Sequence, residues 1–246
     1  LFKIILNFLS LYKRKLLYNL KKKINIDSAD ADKSSLEDLF IHYGTDKSNR
    51  GHGYTRFYEK HLDNYINKTI NILEIGSYSG ASAASFVKYF KQSKVYCIDV
   101  NISNFKYSSK NIFVTGLDIS NKKMINKFLS TNRIKVDQPF FDIVIDDGSH
   151  KLSDMLRGLN SFLQFVKPNG YYIIEDCKFP NHFNHLNDIK HLKIDEMIDK
   201  LKSNININSK ILSKSTIEDL KNKVSEINMY HGNLKDSDIV FFRKSN

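Results

Sequence analysis

The 246-residue chain is 41% hydrophobic with ten glycines and three prolines, which excludes a disordered chain and two full-size domains and fits one α/β domain with appendages. Its formal charge of +11 is unevenly placed: residues 1–26 hold Lys3, Lys13, Arg14, Lys15, Lys21, Lys22 and Lys23 and no acid, so the body is only mildly basic, against the expectation for a nucleic-acid enzyme. Two cysteines exclude a disulfide framework, no apolar run reaches the ~20 residues of a spanning helix, and no signal-peptide pattern is present, so a cytoplasmic setting is expected.

Leu1, Ile5, Phe8 or Leu9, Tyr12, Leu16 and Leu20 fall at helical spacing with basic residues between them, which predicts an amphipathic arm over 1–23. Two kinds of partner suit such an arm. One is the domain itself or a second subunit of a homo-oligomer; the other is a membrane surface met peripherally. Asp27 to Ser35 reads as a linker, and Ser34 or Ser35 caps a short helix through Leu36, Leu39 and Phe40. The arm and linker, 1–35, thus precede a domain over 36–246. Tyr43 to Tyr58 has no periodicity and holds three of the ten glycines, the composition of an ordered loop that packs aromatics or contacts a ligand.

From Asn71 the order becomes regular. Strands are expected near 71–75, 95–99, 111–115, 141–145 and 171–175, with helices near 81–91, 121–130 and 151–166, the alternation of right-handed βαβ crossovers. Segments 226–230 and 237–242 flank His231-Gly232-Asn233 and pair as a hairpin. The predicted fold is α/β: a Rossmann-like doubly wound sheet, mostly parallel with a C-terminal antiparallel hairpin, plus the N-terminal helical arm and a helical cap over 177–223. A connection of that length suits a cap better than a plain crossover.

Acids stand at every strand end. Glu74-Ile-Gly76-Ser-Tyr-Ser-Gly80 runs from a strand into a glycine turn and a helix start, where free N–H groups face a ligand. Tyr78 replaces the middle glycine of the dinucleotide fingerprint. Asp99 ends the next strand, placed to accept ribose hydroxyls, and Asp118 ends the third. Beyond the switch point, Asp146-Asp-Gly-Ser-His150 and Glu175-Asp176 bring several carboxylates together, which requires protons or a cation. Oxygen ligands favour Mg²⁺, with Ca²⁺ or Mn²⁺ suited to the same set, and His150 can take a proton at neutral pH. The alternative is that Ser149 caps a helix and the acids satisfy turn amides. His182, His185 and His191 lack the companions of a zinc motif and read as exposed residues of the cap.

Glu74, Gly76 and Gly80 resemble the first motif of class I S-adenosylmethionine-dependent methyltransferases. Together with Tyr43-Gly-Thr-Asp-Lys47, His52-Gly-Tyr54, Phe57-Tyr58, Asp146–His150 and Glu175-Asp176, the chain over about 40–176 resembles the metal-dependent sugar O-methyltransferases of macrocin and mycinamicin type and their cephalosporin-hydroxylase-like relatives. The resemblance implies S-adenosylmethionine bound by Glu74, Gly76, Gly80, Asp99 and Asp118, with Asp118 near the adenine and with Tyr43, Thr45 and Lys47 among the cofactor-binding residues. It also implies Mg²⁺ on Asp147, Glu175 and Asp176, and His150 as general base. The expected reaction is methylation of a sugar hydroxyl on a hexose or heptose, nucleotide-linked or within a surface polysaccharide or glycoside. Lys190, Lys193 and Lys200 of the cap would meet a diphosphate. Two alternatives are a catechol-type or other small-molecule methyltransferase of the same fold and a non-catalytic peripheral membrane protein that kept it.

Overall fold

The computed structural model describes residues 2–28 and 35–246, residues 2–8 by backbone alone. Most of the expected linker lies outside the described residues. Helix α1 (Phe2–Leu20) leads into a two-residue strand β1 (Ile24–Asn25), then α2 (Leu36–Tyr43), α3 (Thr55–Leu62) and β2 (Thr69–Ile75). Next come α4 (Ala81–Tyr89), β3 (Gln92–Asp99), β4 (Tyr107–Ser108), β5 (Ile112–Gly116), α5 (Lys122–Thr131) and β6 (Phe141–Asp146). The chain continues with α6 (Leu152–Phe162), β7 (Val166–Ile174), α7 (Phe179–His182), α8 (Ile194–Lys202), α9 (Lys214–Asn222), β8 (Val224–His231) and β9 (Asp238–Lys244).

Seven strands form one sheet in the order β5-β3-β2-β6-β7-β9-β8. The first five are parallel, while β9 pairs antiparallel with both β7 and β8. Side chains alternate between the faces with period two, and the sequence supplies apolar residues to both. Leu73, Ile75, Val144, Tyr172, Ile174, Val240 and Phe242 face a core shared with α5, α6 and α8. Ile72, Val95, Ile143, Ile145, Ile173, Ile239 and Phe241 face the other, under α2, α3 and α4. This two-sided burial explains why the strands read as nearly unbroken apolar runs.

Ser35 caps α2 by accepting from Asp38 N at 3.1 Å. Two expected boundaries move. The helix expected to 166 stops at Phe162, because β7 starts at Val166, before the irregular Lys167–Gly170 stretch in which Asn169 has φ +61°. The unpatterned loop before Tyr58 turns helical at Thr55, where the tyrosine and phenylalanine spacing becomes one face of α3. Most of the 177–223 connection lies against the α6 side: Ile194, Met197, Ile198, Ile207, Leu212 and Leu220 join that core, and Asp188 accepts from Ser153 of α6. Its first residues stay at the sheet edge, where the Phe179 ring lies 4.9 Å from that of His150.

Candidate active site

The strand order reverses between the neighbouring strands β2 and β6, and the loops that follow them carry the site. In register, Ile75 pairs with Asp146 and with Ile98, so the loops leave the sheet at one level. They also touch. Asp147 N donates to the Ile75 carbonyl at 2.9 Å, and a Cβ at Gly76, whose φ is +86°, would collide with the Asp147 carbonyl. Gly80 likewise has φ +77°, and its missing Cβ leaves room for the Phe105 ring. The two glycines are thus required by backbone sign and by close approach.

Glu74 is fully buried at the end of β2. Ser82 donates to one of its oxygens, while Oε2 has no partner, and burial pushes its carboxyl above the usual range. Asp99 accepts from Tyr78 N at 2.8 Å and from Asn101 N at 2.6 Å, which fixes the glycine loop against the end of β3. Asp118 lies beside it, since Leu117 N bonds the Asp99 carbonyl at 2.9 Å, and its own carboxylate accepts from Ser120. Tyr43 packs on the Tyr107 ring, and Thr45 closes α2 through its backbone N–H to Phe40 O at 3.0 Å.

Lys47 is 1% exposed and sits between the two halves of the site. Its ammonium donates to Asp147 Oδ2 at 2.5 Å and Glu175 Oε2 at 2.6 Å. Burial opposes its charge, but Asp147, Glu175 and Glu74 outweigh that effect and hold the lysine well above its ordinary pKa. The other Glu175 oxygen accepts from the Tyr58 hydroxyl. Even with these partners, burial raises the Glu175 pKa. Asp176, at φ +51°, accepts from the Tyr54 hydroxyl at 2.6 Å and has His52 Nδ1 at 3.3 Å. Burial raises its carboxyl as well.

His150, at φ +55°, presents Nε2 at 3.8 Å from Asp147 and 3.9 Å from Asp176; its buried Nδ1 has no partner. One ligand atom from each of Asp147, His150 and Asp176 lies within 4.8 Å of the others, a grouping that could hold a metal ion. Glu175 stands behind this trio, with both oxygens engaged. Asp146 points the other way. Its carboxyl lies under α6, accepts from the Tyr172 hydroxyl at 3.2 Å, would clash with any Cβ at Gly158, and is pushed up to about 8 by burial.

The site therefore joins Lys47, Glu74, Asp147, His150, Glu175 and Asp176. His52, Tyr54 and Tyr58 carry roles that sequence reasoning did not assign. Their signal was the i, i+4 spacing of Tyr54 and Tyr58 at the start of α3, hidden by the irregular loop before it. Of the other histidines, His182 and His185 are exposed as expected and His182 comes no nearer than 4.0 Å to Asp238, whereas His191 is half-buried with its Nδ1 3.0 Å from the Leu192 carbonyl.

Residues 73–177 match a family model described as a methyltransferase domain. The chain is 28% identical over 151 residues to mycinamicin VI 2''-O-methyltransferase of Micromonospora griseorubida, covering 58% of this chain and 36% of that protein. It is 27% identical to demethylmacrocin O-methyltransferase of Streptomyces fradiae, again over 58% of this chain and 36% of that protein. The match thus spans about a third of the length of these relatives. A solved MycE methyltransferase of the mycinamycin pathway, in complex with Mg, SAH and mycinamycin VI, superposes with a TM-score of 0.66 at 21% identity, covering 88% of this chain and 55% of that one. The sheet order, the glycine turn after β2 and these similarities agree: the chain carries a methyltransferase domain of class I fold, resembling the macrocin and mycinamicin type of sugar O-methyltransferase.

Proposed function

We propose that the chain transfers a methyl group from S-adenosylmethionine to a hydroxyl of a sugar, in a reaction that needs Mg²⁺. The observation that carries the reading is the joining of a glycine-turn half-site to an acid and histidine half-site through the contact between Gly76 and Asp147. Donor chemistry fits both ligands. Three carboxylates, those of Glu74, Asp147 and Glu175, surround the buried Lys47 ammonium, and a fourth, that of Asp176, stands beside His150, a concentration of acid that a divalent cation and a sulfonium would offset. The unpartnered Glu74 Oε2 and His150 Nδ1 leave polar capacity inside the site.

Asp147 and Asp176 would hold the cation, and Glu175 would join them by exchanging its bond to Lys47. Bound there, Mg²⁺ would lower the pKa of an acceptor hydroxyl that ligates it. The protein supplies the remaining steps. His150 takes the hydroxyl proton on Nε2, the nitrogen that faces Asp147 and Asp176. Asp99 and the glycine loop position the donor, and orientation of the two reactants accounts for much of the acceleration.

A hexose or heptose diol, nucleotide-linked or glycosidic, suits the reading. The sugar O-methyltransferase names of the relatives support a sugar acceptor, and the lysines at 190, 193 and 200 would serve a diphosphate. Incubation with labelled methyl donor, Mg²⁺ and a panel of nucleotide sugars and glycosides should give a labelled sugar ether, lost in EDTA and restored by Mg²⁺. Label appearing only on phenols, or full turnover in EDTA, would refute the assignment. A second role for His150, as third ligand with Asp147 and Asp176, is favoured by their 4.8 Å grouping. Metal titration of His150→Ala separates the roles: unchanged affinity marks a base, a large loss marks a ligand.

A further inference from the structure

Helix α1 has two faces, and among its described side chains only one of them packs on the domain. Tyr18 packs edge-on to Phe105 at 6.4 Å, Arg14 donates to the Val100 carbonyl at 2.8 Å, and Lys21 donates to the Ser103 carbonyl at 2.6 Å. The helix is also tied at its end, where β1 pairs with β4 and Ile26 enters the core. At about 100° per residue, Leu9, Leu16 and Leu20 project within roughly 20° of the direction opposite Tyr18. They are exposed, Leu20 by 74%, and Tyr12 and Leu17 flank them, also exposed. Exposed Lys13 lies beside this row, and exposed Lys15 lies further round the helix, between the row and the packed face. Where the helix ends, Lys21, Lys22, Lys106 and Tyr78 line a cavity of about 300 Å³.

We propose that this outer face of α1 seats the protein on an anionic bilayer surface, with the leucine row in the acyl boundary and the lysines on lipid phosphates. Charge complementarity selects the occupant. Residues 1–26 carry seven cations and no acid, so the same arm from a second copy would meet like charge, whereas an anionic leaflet attracts it. A nucleic acid would satisfy the lysines but leave the leucines wet. Among the described residues no helix is long and apolar enough to cross a membrane, so the contact is one of surface seating. The inference stands apart from the proposed reaction: apart from Tyr78 of the glycine loop, none of these residues belongs to either half-site.

Co-flotation of the full chain with vesicles tests it. Binding should be strong to phosphatidylcholine vesicles containing phosphatidylglycerol, weak to phosphatidylcholine alone, and released by high salt. Leu16→Asp with Leu20→Asp should abolish binding with the thermal midpoint unchanged, and Lys13→Glu or Lys15→Glu should each weaken it about fivefold or more. Absence of flotation with phosphatidylglycerol, or equal flotation of the leucine variant, overturns the proposal. So does a dimer that the leucine variant converts to monomer while vesicles remain unbound, since the occupant would then be a second copy.

Discussion

Lys47 is the residue on which the electrostatics of the site turns. It is the buried cation bonded to both Asp147 and Glu175, and removing one partner of such a network leaves carboxylates uncompensated. Lys47→Met should therefore lower stability by about 3–5 kcal/mol in EDTA, with part of the loss recovered by Mg²⁺. Denaturant titration with and without metal measures both; an unchanged midpoint would mean that the carboxylates are neutral without Lys47. His150→Ala should reduce turnover about 100-fold or more while methyl-donor affinity, read by calorimetry, holds. Asp146 offers a pH test independent of catalysis. Its folded pKa, near 8 through burial, exceeds the unfolded value, so the folded state holds the extra proton between the two. The stability it contributes is present below about pH 4 and is lost as pH rises toward 8. Asp146→Asn should flatten that decline, by up to about 1.4 kcal/mol per pH unit, in denaturant titrations run from pH 5 to 8.

At the scale of elements, strands and their ends were legible because an apolar run closing on an acid is a local signal, and β2, β3, β5 and β6 fall within a few residues of expectation. The glycine turn was legible for the same reason. What sequence did not reveal was which way each acid points. Asp146 and Asp147 are neighbours in the chain, yet one lies under α6 with Tyr172 and the other meets Lys47, a consequence of side-chain alternation at a strand end that only the register decides. The partnership of Lys47 with Glu175 spans 128 residues and left no trace in spacing. The hairpin was visible, but the insertion of β9 between β7 and β8, which makes Ile239 to Phe242 a fully buried row, was not. Phe241 there meets His61 at 4.4 Å, Tyr58 at 5.9 Å and Tyr171 at 6.2 Å. Phe241→Ala should lower unfolding free energy by about 3–5 kcal/mol in a denaturant melt. Because Tyr58 also bonds Glu175, the same variant should weaken metal binding, whereas a cavity made at Phe162, on the other face, should not.

For the whole molecule, charge is divided between two regions. The arm carries most of the positive excess and lies along the outside of the domain, whereas the site is a buried concentration of acid around one lysine. Salt should therefore act on the two separately, screening the exposed arm strongly and the buried cluster weakly. The contact between the two loops has a further consequence. Since Gly76 rests on the Asp147 backbone and Asp147 N is held by Ile75 O, ordering either loop restrains the other. Two ligands that each order one loop then share a coupling free energy, and linkage makes it reciprocal. Methyl donor should tighten Mg²⁺ by the same factor by which Mg²⁺ tightens the methyl donor, and Gly76→Ala, by forcing the loops apart, should weaken both together. Such coupling would make of the two half-sites a single cooperative unit.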